Sequence, residues 1–388
     1  MSAPTLEAVG EVDLPERPRR RPVPGRLASL DGLRFVAALS VVFFHYVGFS
    51  PESGNPGWGR PAEAVFPHLS AAAKYGWLGV ELFFMISGFV ICMSAWDRRL
   101  SGFFVSRVVR LYPAYWFAVL ATTAVVTIWP TVRHHLRPSD VLVNLTMLQS
   151  PLDVPDVDGV YWTLWTEFRF YLLFAIVVRL GLQYRRVVLF CLLWTIAAAV
   201  APTVDSEVFD LVVIPTYAPF FIAGIACYLM HRYGPDALLW GIIGVSWLLA
   251  QHGLIGLNEE QADTVGKHLG WWPTALIVTG VFAVVILIAV GGLSWMRWRW
   301  LTLAGATTYP LYLLHEYIGW TVVRGLADRF PPLLVVSVTV VAMVLLAWLV
   351  HRWVERPVAR LLRRWLSASV ARLGATSSGR TGAPTESA

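Results

Sequence analysis

Charge is scarce in this chain of 388 residues: Asp, Glu, Lys and Arg make up 14% of it while 56% is apolar, against roughly a quarter charged in ordinary soluble domains. That balance argues against a soluble single core. Cysteine is scarce too. Cys92, Cys191 and Cys227 each sit inside an apolar segment without ligand spacing, so neither a disulfide framework nor a thiolate metal site is indicated. The chain has no GxSxG elbow, Walker A loop, GxGxxG turn or HExxH pair, which removes the serine-hydrolase, P-loop, dinucleotide-binding and zinc-protease readings. No repeat of 20 to 50 residues is visible, excluding a solenoid. The formal net charge of +6 is carried by short arginine clusters between apolar runs. With no base-reading motif beside them, they point to membrane topology and not to a nucleic-acid partner.

What is abundant are apolar runs and aromatics, with 19 Trp, 20 Phe and 13 Tyr, the rings that collect at lipid headgroup level. A crossing needs about 20 apolar residues. The runs predict an all-α polytopic membrane protein with ten spans near 30–49, 76–96, 111–130, 161–180, 187–202, 209–230, 237–256, 273–291, 301–322 and 333–353. With the N-terminus inside, 22 of the 31 Lys and Arg residues fall on the cytoplasmic side and seven in outer loops, so both termini are expected in the cytoplasm of a cell-membrane protein. Residues 1–26, rich in Pro and Arg, are expected to be a disordered basic arm, 27–366 the transmembrane domain, and 367–388 a flexible tail. Outer loops 50–75 and 131–160 are long enough to be functional. The second holds Asp153, Asp156 and Asp158 and the short segment 140–150, expected to be interfacial or re-entrant.

Ionisable residues within spans are site candidates by default, because a charge at the bilayer centre costs roughly 2.5–3.5 kcal/mol even on the mild insertion scale. The first span carries Asp31, Arg34 and His45. Eleven residues separate Arg34 from His45, which at 3.6 residues per turn puts them on one face, roughly 16 Å apart along the axis. Ala38, Val41 and Val42 lie between them as a small apolar track. Such a face suits a long thin substrate with phosphate at one end and a reactive group at the other. Asp31 is placed to pair with Arg34 at i,i+3. The second span holds Glu81, with Ser87 on its face. Arg107 and Arg110, one turn apart in an expected short cytoplasmic helix, present two guanidiniums of the kind that grip phosphate oxygens; lipid headgroups would draw them equally. In the fourth span Thr163, Glu167 and Tyr171 share a face behind Trp162, while Arg169 points elsewhere, so Glu167 requires a partner from another span. The ninth span groups Tyr312, His315 and Glu316, as an acceptor contact or an aromatic belt.

In order, LDGLRFVAALSVVFFHY (30–46), GVELFFMISGFVI (79–91), FFVSRVVRLYPAYW (103–116), NLTMLQS with YWTLWTEFRFYLLF (144–174), TTYPLYLLHEY (307–317) and VERPVARLL (354–362) resemble the membrane-bound acyltransferase family 3. Its members O-acylate cell-surface glycans and, in actinomycetes, some antibiotics. The resemblance covers roughly 27–366 and implies His45 as the essential histidine, Arg34 as its paired arginine, Arg107 and Arg110 as contacts of the acyl-CoA phosphates, and Glu167 as the acidic residue of a Trp-Ser-Leu-like motif. Here that motif reads Trp162-Thr163-Leu164, with Phe168-Arg169 after the glutamate. No appended hydrolase-like domain is visible.

Both lines lead to an O-acyltransferase that moves an acyl group, acetyl by expectation, from cytoplasmic acyl-CoA to a hydroxyl of a carbohydrate-containing acceptor, a surface glycan or a glycosylated small molecule, without a metal. His45 would be the general base with Glu167 orienting or charge-stabilising it; an acyl-histidine route is the alternative chemistry. The alternative function is a transporter or flippase in which Arg34, His45, Glu81 and Glu167 form a substrate or proton relay. The inverted repeats usual in such folds are not seen.

Overall fold

The computed structural model describes residues 27–133, 136–266 and 269–379; the expected basic arm lies outside them, as do residues 380–388. Sixteen α-helices follow in chain order. The first, α1, runs Ala28–Phe43 and continues as a π-helical turn, Phe44–Gly48; α2 (Ala62–Val65) and α3 (Ser70–Ala73) are single turns in the outer loop; α4 spans Gly79–Ala95 and α5 Leu100–Ile128. After α6 (Pro138–Asn144) come α7 (Trp162–Leu180), α8 (Tyr184–Val204), α9 (Glu207–Val213), α10 (Ala218–Tyr233), α11 (Ala237–Val265) and α12 (Trp271–Ala289). The chain closes with α13 (Arg299–Leu314), α14 (Glu316–Leu326), α15 (Pro332–Val350), a second π turn, His351–Glu355, and α16 (Arg356–Gly379). Among the described residues there is no strand, only an isolated bridge between Asn55 and Arg60.

Eight helical stretches are long and apolar enough to cross a membrane: Ala28–Gly48, Ser70–Ala95, Leu100–Ile128, Tyr184–Val204, Glu207–Tyr233, Ala237–Val265, Trp271–Ala289 and Pro332–Val370. The protein is a multi-pass membrane protein of all-α class. The expected fourth span coincides with α7, whose 19 residues carry Glu167, Arg169 and Arg179 and which is not among the eight. The expected ninth is broken at His315 into α13 and α14, of 16 and 11 residues. Broken helices at membrane depth are tolerated where protein buries them, and His315 is fully buried. Arg107 and Arg110 do not sit on a short separate helix as expected. They belong to the 29-residue α5, which continues through Pro113 into the third crossing. Residues 367–379, expected within the flexible tail, continue α16.

The centre of the bundle is α10, buried at every position from Ala218 to Met230; a helix apolar all round belongs in a core. Its crossing with α4 is a backbone contact. A Cβ on Gly88 would lie 2.1 Å from the Phe221 carbonyl oxygen, and one on Gly224 would lie 1.9 Å from that of Met85. Small residues at such crossings let helices approach without side chains between them. Gly88→Ala and Gly224→Ala are each expected to destabilise the protein by about 1–3 kcal/mol, the usual cost of overpacking, read as a lowered melting temperature in detergent. Unchanged melting in both would show that the crossing is loose.

Candidate active site

The first π turn positions His45. A π turn leaves the i→i−4 ladder, and side chains satisfy its backbone: the His45 carbonyl accepts from Asn55 Nδ2 at 2.9 Å and Trp320 Nε1 at 2.8 Å, the Tyr46 carbonyl from Trp58 Nε1 at 2.8 Å. Loop 50–75 thus clamps the histidine. Its ring sits among Phe44, Phe49 and Trp320. His45 Nδ1 lies 2.9 Å from the Val41 carbonyl and 3.1 Å from His315 Nε2, and His315 Nδ1 lies 2.8 Å from the Tyr312 carbonyl. Carbonyls only accept, so each neutral ring carries its proton on Nδ1. His45 Nε2 is left with a lone pair, the state a general base requires. Glu316 Oε1 is 3.9 Å from that nitrogen.

Below this outer end, a cavity of about 320 Å³ opens between α1, α4, α5, α7 and α13, within the usual size range of ligand sites. Its lining from Val80 to Ile91 of α4 covers roughly 16 Å at 1.5 Å per residue. Five arginines reach it, Arg34, Arg98, Arg107, Arg110 and Arg363. Arg107 donates to Ser94 Oγ at 3.1 Å and to Ser106 Oγ at 3.2 Å, and its guanidinium stands 5.9 Å over the Tyr171 ring. Arg110 is ion-paired with Glu355, which His351 Nδ1 contacts at 2.8 Å, and lies over the Tyr309 ring. Ser87 donates to Glu167 Oε1 at 2.6 Å. The carboxylates of Asp31 and Glu167 both act on the Arg34 guanidinium. Asp31 is itself seated against Gly305, where a Cβ would come 2.4 Å from its own.

Most of the residues expected from sequence therefore meet here: Arg34, Ser87, Arg107, Arg110, Glu167, Tyr171 and Tyr312 line the cavity, and Asp31 supports it. Tyr312 also closes it, its hydroxyl 2.9 Å from Thr163 Oγ1 and its ring 5.7 Å from that of His315, which in turn lies 5.0 Å from His45. Two expectations are corrected. Glu167 does not orient His45: it faces Ser87 and Arg34 in the cavity, and the carboxylate beside the imidazole is Glu316. Ala38, Val41 and Val42 do not form a substrate track. They are buried core residues absent from the cavity lining, because the close approach of Gly76 and Gly79 brings α4 against Ala37, Ser40 and Val41. The cavity opens between α4 and α7 instead.

Three further placements complete the picture. Trp162 packs edge-on to Phe84 and tilted against Tyr217, outside the cavity. Glu81 is buried with Oε2 unpartnered, near Glu260 and Tyr217, also away from the cavity. Arg169 turns aside as expected, donating to the Leu211 carbonyl. Sequence reasoning missed Arg98 and Arg363, which count there only as cytoplasmic charge; it grouped Glu316 with Tyr312 and His315, as an acceptor contact or an aromatic belt, without placing it beside His45. In loop 131–160, burial pushes the carboxyls of Asp156 and Asp158 up.

The structure is thus a helical membrane bundle with an arginine-lined cavity beside a buried histidine pair. The family described as an acyltransferase domain (Acyl_transf_3) matches residues 27–352, and the chain belongs to it. It is an acyltransferase. It is 26% identical to Acyltransferase MdmB of Streptomyces mycarofaciens over 386 residues, covering 87% of this chain and 93% of that protein. No solved structure matches.

Proposed function

We propose that this acyltransferase takes an acyl group, acetyl in the simplest case, from cytoplasmic acyl-CoA and places it on a hydroxyl of a carbohydrate-containing acceptor, with ten crossings, both termini in the cytoplasm and His45 as general base. The observation that carries the reading is the cavity itself: five arginines reach it, and Tyr312 lines it while facing His315, which contacts His45. Guanidiniums suit phosphate oxygens. Arg107, Arg98 and Arg363 would take the donor's phosphates, with Arg110 held in place by Glu355 and Arg34 deeper. Glu167, Ser87 and Tyr171 line the passage for the donor arm. Rotation of Tyr312 would open the way from the cavity to His45.

His45 Nε2 then removes the acceptor's O–H proton as the oxygen attacks the thioester carbonyl. The C–O bond forms, the C–S bond breaks, and the thiolate leaves with the proton returned from Nε2. The acceptor enters from the outer side, where loops 50–75 and 131–160 surround the histidine. MdmB is named an acyltransferase and is of similar length, which supports the same reaction type here without choosing between a glycan and a glycosylated metabolite.

The test is thiol release. Membranes holding the protein are expected to liberate free CoA from acetyl-CoA only when acceptor is added. Uptake of solute into proteoliposomes without thiol release would replace this reading by the transporter alternative.

A further inference from the structure

The strongest unassigned feature is a pair of buried carboxylates at the outer end, Asp158 in the loop before α7 and Glu316 at the start of α14. Both are buried, and their side chains are within hydrogen-bonding reach of each other. Yet Asp158 Oδ1 and Glu316 Oε2 find no donor among the described residues. Two ionised carboxylates only accept, and side by side without water they repel; they bond when one carries a proton. The surroundings are shaped around the pair. Tyr317 N donates to Asp158 Oδ2 at 3.3 Å. A Cβ on Gly159 would lie 2.7 Å from both Glu316 oxygens, so only glycine leaves room.

The groups facing the pair are few. They are His45 and Tyr46 from the α1 π turn, with His315 behind His45, Tyr312 from α13, Tyr161 before α7, Tyr317 from α14, and Asp156 in the loop. The guanidinium in this neighbourhood, Arg133, donates to the Asp156 carbonyl and stands 5.6 Å over the Tyr317 ring. Among these groups, the one that gains positive charge during the proposed reaction is His45.

We infer that Asp158 and Glu316 hold one proton between them and present a single negative charge to His45 Nε2, a positioning pair for the imidazolium that forms during acyl transfer. The inference rests on the reading of His45 as base. When Nε2 takes the acceptor's proton, Glu316 Oε1 faces the new N–H across the present 3.9 Å; when Nε2 returns that proton to the thiolate, the charge is released. The pair keeps its own proton throughout, so nothing is consumed. Asp158 holds Glu316 at one charge and in one rotamer, away from a second ionisation that would drag the imidazolium proton off permanently.

The test uses the full chain in nanodiscs. Infrared difference spectra of wild type against Asp158→Asn and against Glu316→Gln, at neutral pH, are expected to show a carboxylic-acid carbonyl band in wild type that both variants lose. In steady-state assays Glu316→Gln is expected to lower kcat by about 100-fold, comparable to losing one preorganised electrostatic contact, with KM for acetyl-CoA unchanged. Asp158→Asn is expected to lose less, because its amide N–H donates to Glu316 in place of the shared proton. Wild-type spectra without an acid band assignable to the pair overturn the inference. So does an Asp158→Asn enzyme that melts normally and falls as far as Glu316→Gln. Should wild type never release thiol, the acyl-CoA reading fails on its own, and the infrared band still decides the pair.

Discussion

Replacing His45 by glutamine lowers kcat for acyl transfer by between about 100-fold and 10,000-fold, the range a positioned general base contributes, and leaves KM for acetyl-CoA nearly unchanged. The split follows from geometry. The arginines that would meet the phosphates lie at the far end of the cavity, several helical turns from the π turn that holds the imidazole. Glutamine keeps most of the volume among Phe44, Phe49 and Trp320, so the clamp on the His45 carbonyl by Asn55 and Trp320 survives. Thermal melting in detergent checks that the fold is retained. A folded variant turning over at the native rate would remove His45 from the chemistry and leave it a packing residue between α1 and α13.

Arg34→Met is expected to have the second largest effect, on stability and donor binding together. The guanidinium lies at the cavity wall within electrostatic range of Asp31 and Glu167; removing it takes away a positive charge that both carboxylates feel in a poorly solvated position. Exposed pairs contribute up to about 1 kcal/mol and breaking fully buried ones costs about 3–5 kcal/mol. A partly exposed cavity residue falls between, at about 2–3 kcal/mol. Adding Glu167→Gln to the same chain is expected to restore part of the melting temperature without restoring donor affinity, because the phosphate contact stays lost. Arg34→Lys keeps the charge but not the planar fork, and is expected to recover stability more fully than KM. Additive losses in the double variant would show that Arg34 and Glu167 do not interact.

The expectation of a catalytic carboxylate went to Glu167 because a carboxylate within a span needs a partner and the family resemblance implied it as the acidic residue of the motif; helical spacing gave only the face it shares with Thr163 and Tyr171. All three do line the cavity. Spacing cannot say which helix a face meets, and α7 turns this one toward Arg34 and Ser87 instead of the imidazole. Glu316, grouped with Tyr312 and His315, was given no role toward His45 for the converse reason. In the sequence it lies in an aromatic-rich stretch that reads as a membrane boundary, and only the break at His315 folds it inward beside His45. The VERP stretch shows the same limit: the motif was visible, but its physical use, Glu355 anchoring Arg110 across the bundle, depends on contacts 245 residues apart.

By itself the sequence determined the solvent, the helical class and the residue types that bear chemistry, because lipid forces apolar runs of a set length and makes each intramembrane charge costly enough to be informative. Tertiary structure decided which of those charges face one another. It packed Gly76 and Gly79 against α1 where the track was expected, opened a cavity between α4 and α7, and gave His45 its carboxylate neighbour from a broken helix. Helical periodicity fixes directions around one axis only; how sixteen axes cross is set by side-chain fit between segments far apart in the chain.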